Sequence, residues 1–312
     1  MRIFLKIAII LLLFSGASRA ADKNESIKVY DKDGKEYLIS RDVYRKNVLP
    51  GIFEKAWDDE KELYGVIVAA LRDGLYQDAL APAIRHVEIS KNKESSSVLL
   101  GIAYMKLGRL TEAHETLDGY VSRYGKSGIV LTNLAKVIAM EGDFEKSVDV
   151  LWQALKEDPN QDNALVWWGA IHYEQGGHQS RINSLKQVAK LTGSWRAQLW
   201  IARDYLESGE KQKAIEEYKI ILLTDASNYG DVLTMITGDL GNKGYLDEAI
   251  SLVGPIYKPQ VHGAEAGLNL VMTYKQLKMK MKGLELLKEM EILKRYDLKE
   301  YLAELKGDFS RM

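Results

Sequence analysis

Six glycines constrain this chain more than any other feature. Gly74, Gly108, Gly142, Gly176, Gly209 and Gly244 follow one another at intervals of 34, 34, 34, 33 and 35 residues. The chain has only 25 glycines among its 312 residues, too few to produce such a ladder by accident. Other positions hold the same register. Five residues after each glycine stand Ala79, Ala113, Ser147, Arg181, Ala214 and Ala249. Nine residues after it the side chain is large and apolar in Leu117, Leu151, Leu185, Tyr218 and Val253, with Ala83 the departure. A weaker seventh copy carries Lys278 for the glycine, Gly283 for the alanine and Leu287 for the large residue. A period near 34 means stacked units, none of which can bury its apolar face alone.

Each unit reads as two helices. Leu110, Ala113, Leu117 and Tyr120 recur at helical spacing and form one apolar stripe. Small residues such as Gly101 and Ala113 let antiparallel helices approach closely. The ladder glycine ends the first helix where a positive φ is cheap, as at Gly142 in Met-Glu-Gly-Asp. Asp158-Pro159-Asn160 stops a second helix. Pro82 and Gly254-Pro255 fall inside second helices, and a kink or early stop is expected at each.

The pattern resembles the tetratricopeptide repeat, W-x2-L-G-x2-Y followed by a small residue, a large one and a proline. The second repeat carries Leu100-Gly101, Tyr104, Ala113 and Leu117, and the third Leu131, Leu134-Ala135, Leu151, Ala154 and Pro159. The fourth carries Leu165 and Trp168-Gly169, with His172 where tyrosine is expected, and the fifth Ile201-Ala202, Tyr205, Ala214 and Tyr218. The signature tryptophan is missing throughout, and Pro159 is the one well-placed proline. Strings such as Leu-Thr-Asn-Leu-Ala-Lys (131–136) and Trp-Trp-Gly-Ala-Ile-His (167–172) also look like those of bacterial tetratricopeptide proteins, a likeness that brings no activity with it. The resemblance implies an all-α fold, a right-handed α-solenoid of about seven helix pairs over residues 60–297. The repeats fall at about 60–93, 94–127, 128–161, 162–194, 195–229, 230–263 and 264–297.

The flanks read differently. Arg2 and Lys6, the apolar run Ile7 to Phe14, and the small residues Ser18 and Ala20 make residues 1–20 a signal peptide with cleavage expected before Ala21. An uncleaved signal anchor is the alternative. Within 21–59, Ile27, Val29, Tyr37 and Ile39 alternate around Asp31-Lys32-Asp33-Gly34, which predicts a β-hairpin. Ser40 caps a short helix to Val48, Pro50-Gly51 interrupts it, and a second short helix reaches about Trp57. This segment is expected to cover the first repeat. Residues 298–312 hold a capping helix, Leu298 to Leu305, and a tail.

Composition narrows the function. With no cysteine there is no disulfide, no thiolate zinc site and no acyl-cysteine anchor. Without residues 1–20, 40 Lys and Arg face 44 Asp and Glu, a net charge near −4 that does not attract nucleic acid. No later stretch is apolar for long enough to span a membrane. His172, Glu174 and His178 are the one histidine cluster, and they occupy different faces of a helix, so no metal is assigned. Asp31-Lys32-Asp33-Gly34 lacks the spaced ligands of a calcium loop. No catalytic residue and no cofactor is assigned.

The resemblance implies peptide binding in a concave groove lined by the first helix of each repeat. Asn133, Trp167 and Trp200 share one register there, Asn163 and Arg196 lie a turn away, and Lys136 and Arg203 extend the surface. Asparagine and arginine resemble the carboxylate-binding clamps of some family members, although the two-lysine pattern is absent. The competing reading packs Trp167 and Trp200 against neighbouring helices. Trp168 takes the large apolar position of its helix and is assigned to the core. The expectation is a periplasmic scaffold or assembly factor, not an enzyme, that binds a peptide segment of a protein partner. Secretion is an alternative location. An envelope hydrolase or carbohydrate-active enzyme and a structural subunit of a secretion or pilus machine are alternative functions.

Overall fold

The computed structural model describes residues 26–30 and 33–312. The expected signal peptide and its cleavage site lie outside the described residues, as do Asp31 and Lys32 of the hairpin turn. The chain divides into two compact units, residues up to Ser184 and residues from Leu185.

The first unit opens with the expected hairpin, β1 (Ser26–Tyr30) antiparallel to β2 (Glu36–Ser40), with Ile27 opposite Ile39 and Val29 opposite Tyr37. Ser40 Oγ accepts from the Val43 N–H at 3.4 Å and starts a helical turn, which widens to π-type over Tyr44–Val48. Pro50 does not separate two helices as expected. It stands in the first turn of α1 (Leu49–Ala56), where its missing N–H costs nothing. Leu49, Phe53 and Ala56 are buried against Leu63, Ile67 and Ala79 of the first helix pair. Arg45 clamps Asp78 at 2.7 Å, and Arg41 Nη2 donates to the Asp73 carbonyl at the end of the first repeat helix.

The repeats follow as helix pairs: α2 (Glu60–Arg72) with α3 (Tyr76–Ile89), α4 (Lys93–Lys106) with α5 (Leu110–Tyr124), and α6 (Gly128–Glu141) with α7 (Phe144–Glu157). The helical run Asp162–Val188 breaks at Gly176 and Gly177 into α8 (162–175) and α9 (178–188). In the second unit come α10 (Arg196–Glu207) with α11 (Lys211–Leu222) and α12 (Gly230–Asn242) with α13 (Leu246–Val253). After the short α14 (Pro259–His262), α15 (Glu265–Gln276) pairs with α16 (Lys280–Met290), and α17 (Lys299–Arg311) closes the chain.

One turn joins six of the seven pairs. The residue after the ladder position returns its N–H to a carbonyl five residues back: Leu75 to Ala70, Arg109 to Tyr104, Asp143 to Ile138, Glu210 to Tyr205, Tyr245 to Leu240 and Met279 to Tyr274, all at 2.8–3.2 Å. This is a Schellman cap, and it requires a positive φ at the ladder residue. Gly142, for instance, sits at φ 100°. In the seventh repeat Lys278 takes φ 56° without being glycine, so the tertiary frame imposes the turn where the sequence does not favour it. The fourth repeat corrects the ladder. Gly176 keeps the spacing but has a negative φ of −156°, and Gly177 at φ 68° takes the positive φ instead.

Pro82 does not stop its helix: α3 runs through it, with Pro82, Ala79 and Ala83 all buried. Packing on both sides outweighs the one backbone bond that proline removes. Gly254-Pro255 does act as expected and ends α13 after eight residues. The C-terminal helix is longer than expected, running to Arg311 rather than Leu305, because Phe309 is fully buried against Gly283. A Cβ on Gly283 would stand 2.2 Å from the Phe309 ring. The small-residue position of the seventh repeat is thus a socket for the cap.

Candidate functional site

In the first unit α2 packs on α4 and α4 on α6, while the second helices lie farther from one another, so the first-helix face is the inner one. On α6 this face is a single stripe, Ile129, Asn133, Lys136 and Met140, at spacings of four, three and four residues. Its ends are apolar and open, Ile129 45% and Met140 38% exposed. Its middle is polar and recessed. Asn133 is buried and its amide donates to the Ile129 carbonyl at 2.8 Å. Tyr64 and Val68 of α2 continue the exposed apolar character of this face.

Lys136 is the unusual member. Burial pushes its ammonium pKa down, and the charge of Lys106 at the end of α4 pushes it further. Burial lowers Lys106 as well. Among the described residues no carboxylate pairs with Lys136. A recessed ammonium with no carboxylate of its own is an electrostatic demand for an anion. Nothing in the sequence marks position 106, because its closeness to position 136 is created only when α4 packs on α6.

The other sequence-derived groove residues fare differently. Asn163 is exposed near the start of α8. Trp167 is 3% exposed, and its indole N–H is buried with no hydrogen-bond partner. The expectation of an open tryptophan there is corrected: the side chain fills space between helices. Trp168 is core as expected. It stacks on Trp152 at 5.2 Å, takes the His172 edge at 4.5 Å, and donates to the Ser184 carbonyl at 3.2 Å. His172 is therefore engaged in packing, and among the described residues no group of side chains could hold a metal ion.

Arg196, Trp200 and Arg203 belong to the second unit. Arg196 lies over the Trp195 ring at 4.6 Å and Arg203 over Trp200 at 5.7 Å. Arg203 Nε also donates to Asp239 at 2.8 Å. Nearby, Lys243 pairs with Glu207 at 3.0 Å, and Asn269 donates to Thr237 at 3.0 Å. Charge on this face is largely answered from within the unit. Lys136 in the first unit has no such answer.

Residues 98–162 match the family model described as tetratricopeptide repeat. A thermophilic tetratricopeptide-repeat protein of Thermus thermophilus aligns with 58% of this chain and 98% of its own, at 20% identity and TM-score 0.37. One from Parabacteroides merdae ATCC 43184 aligns with 80% of this chain and 98% of its own, at 16% identity and TM-score 0.34. MamA from Desulfovibrio magneticus RS-1 aligns with 53% of this chain and 94% of its own, at 16% identity and TM-score 0.33. No curated protein sequence matches the chain.

Proposed function

We propose that this tetratricopeptide-repeat protein is a non-catalytic scaffold whose first unit binds an acidic, extended peptide segment of a protein partner along α6 and its neighbours. The observation that carries this is Lys136, a recessed ammonium beside Lys106 with no carboxylate of its own. A partner's carboxylate supplies the missing counter-charge, and a charge-assisted bond in a recessed site is stronger than the same bond in water. Ile129 and Met140 at the two ends of the stripe suit apolar side chains flanking the acid. The reading includes export: residues 1–20 act as a cleavable leader, the mature chain works in the periplasm, and its partner is protein rather than nucleic acid. Among the described residues no helix is long and apolar enough to cross a membrane.

The test is selection from a random decapeptide library on the mature chain, 21–312, followed by anisotropy titration of the selected peptides. Selected peptides are expected to carry Asp or Glu, or to need a free C-terminal carboxylate. Lys136→Met should weaken them at least tenfold while leaving the fold intact, because an apolar side chain replaces a desolvated charge. Neutral or basic selected peptides, or binding indifferent to Lys136→Met, would sink the proposal. Mass spectrometry of the exported protein should find Ala21 at its N-terminus.

A further inference from the structure

The hairpin of the first unit is a sheet that stops at two strands. Among the described residues no third strand pairs with it, and no backbone hydrogen bond from outside the hairpin reaches Tyr37, Leu38 or Ile39 of β2. A lone hairpin is marginal in water, and the free edge of a strand is a template for another strand. The two strands are not equally covered. Ile27 of β1 packs on the core of the first repeat, and Val29 on the same face is half-buried. Tyr37 of β2 lies directly opposite Val29, yet it is 43% exposed. β2 is therefore the open side of the sheet. On the other face Leu38 of β2 and Tyr30 of β1 are each 64% exposed.

Edge strands are commonly protected from pairing by a lysine, a proline or a bulge. β1 has such a guard in Lys28 at its centre, which pairs with Glu36 at 2.8 Å. β2, Glu-Tyr-Leu-Ile-Ser, has none, and its register with β1 is unbroken. Its sequence is instead self-complementary about Leu38. An antiparallel copy centred there sets Leu38 against Leu38, Tyr37 against Ile39 twice, and Glu36 against Ser40 twice. Leucine meets leucine, each aromatic ring meets a β-branched side chain, and no like charges are opposed. The same pairing of β1 about Lys28 would oppose two ammonium groups. The β2 ladder ends at Ser40, because Arg41 leaves the strand for a helical turn and is held at the Asp73 carbonyl.

We propose that β2 is a homotypic interface: two copies of this chain join edge to edge through Glu36–Ser40, antiparallel about a twofold axis at Leu38, into one four-stranded sheet. Such an isologous contact closes on itself and does not propagate. A five-residue edge is short for a permanent interface, so the pair forms weakly and reversibly. Pairing presents two copies of whatever surface each chain uses for its partner. The contact does not depend on the acidic-peptide reading of the first unit.

The chain has no cysteine, so introduced cysteines report the geometry directly. Leu38→Cys places two thiols opposite each other across the axis, within disulfide reach of a cross-strand pair. Tyr30→Cys is the control, equally exposed on the same face but on the guarded strand. Under mild oxidation of the mature chain, Leu38→Cys is expected to form a disulfide-linked dimer at least tenfold faster than Tyr30→Cys. Sedimentation equilibrium of the cysteine-free chain should show a monomer–dimer equilibrium. Leu38→Lys should weaken it at least tenfold, by opposing two ammonium groups at the axis, without changing the far-ultraviolet circular dichroism. A parent chain that stays monomeric at every concentration, equal cross-linking of the two cysteine variants, or a dimer indifferent to Leu38→Lys would overturn the proposal. None of these readouts involves Lys136, so failure of the acidic-peptide reading is seen separately.

Discussion

Arg203 Nε donates to Asp239 Oδ2 at 2.8 Å, and the Tyr218 hydroxyl donates to the same oxygen at 3.1 Å. One carboxylate oxygen therefore ties together α10, α11 and α12, the two helices of one repeat and the first of the next. Tyr218 is fully buried, and burial together with Asp239 holds its phenol protonated, well above its usual range. Asp239→Ala strands a buried hydroxyl and is expected to cost about 2 kcal/mol in urea unfolding. Arg203 is partly exposed, so its coupling to Asp239 in a double-mutant cycle should be at most about 1 kcal/mol. Equal losses from Arg203→Ala and Asp239→Ala would contradict this division.

Lys278 pays a conformational cost that the other Schellman turns avoid with glycine. Lys278→Gly is expected to stabilise the chain by about 0.5–1 kcal/mol, the left-handed strain relieved exceeding the extra freedom gained by the unfolded chain. A lower midpoint in chemical denaturation would show that the lysine makes a compensating contact.

Gly283 cannot take a methyl group without moving Phe309. Gly283→Ala is expected to cost about 1–3 kcal/mol and to loosen α17 selectively. Hydrogen exchange should report lost protection over residues 299–311 while α4 to α7 stay protected. Uniform loss would mean that damage does not stay local in this stack.

His86 is 1% exposed, and neither ring nitrogen has a hydrogen-bond partner of good geometry. Burial lowers its pKa below the usual 6.5, as it does for His172 and His262. Below pH 6.5 the unfolded chain takes up protons that the folded chain refuses, so stability is full above that value and falls as the medium acidifies. The unfolding midpoint should drop between about pH 7 and about pH 5.5, and His86→Leu should flatten part of that slope. An unchanged slope in the variant would remove His86 from the account.

The sequence by itself determined what is local and repeated. Spacing of about 34 residues, helical periodicity and the breaking power of Gly254-Pro255 dictate helix pairs and their turns, because each follows from backbone geometry within a few residues. The hairpin was legible for the same reason, since its alternation and turn are local. Only the tertiary structure decided how helices use each side chain. Trp167 and Trp168 are neighbours of one type, and both proved to be buried, although their register pointed to different faces. Arg203, expected to face a ligand, is held by an aspartate 36 residues away. Lys136 acquires its character from its burial and from Lys106 on the neighbouring helix. Burial and electrostatic pairing depend on distances that packing creates, and the order of residues along a chain does not contain them.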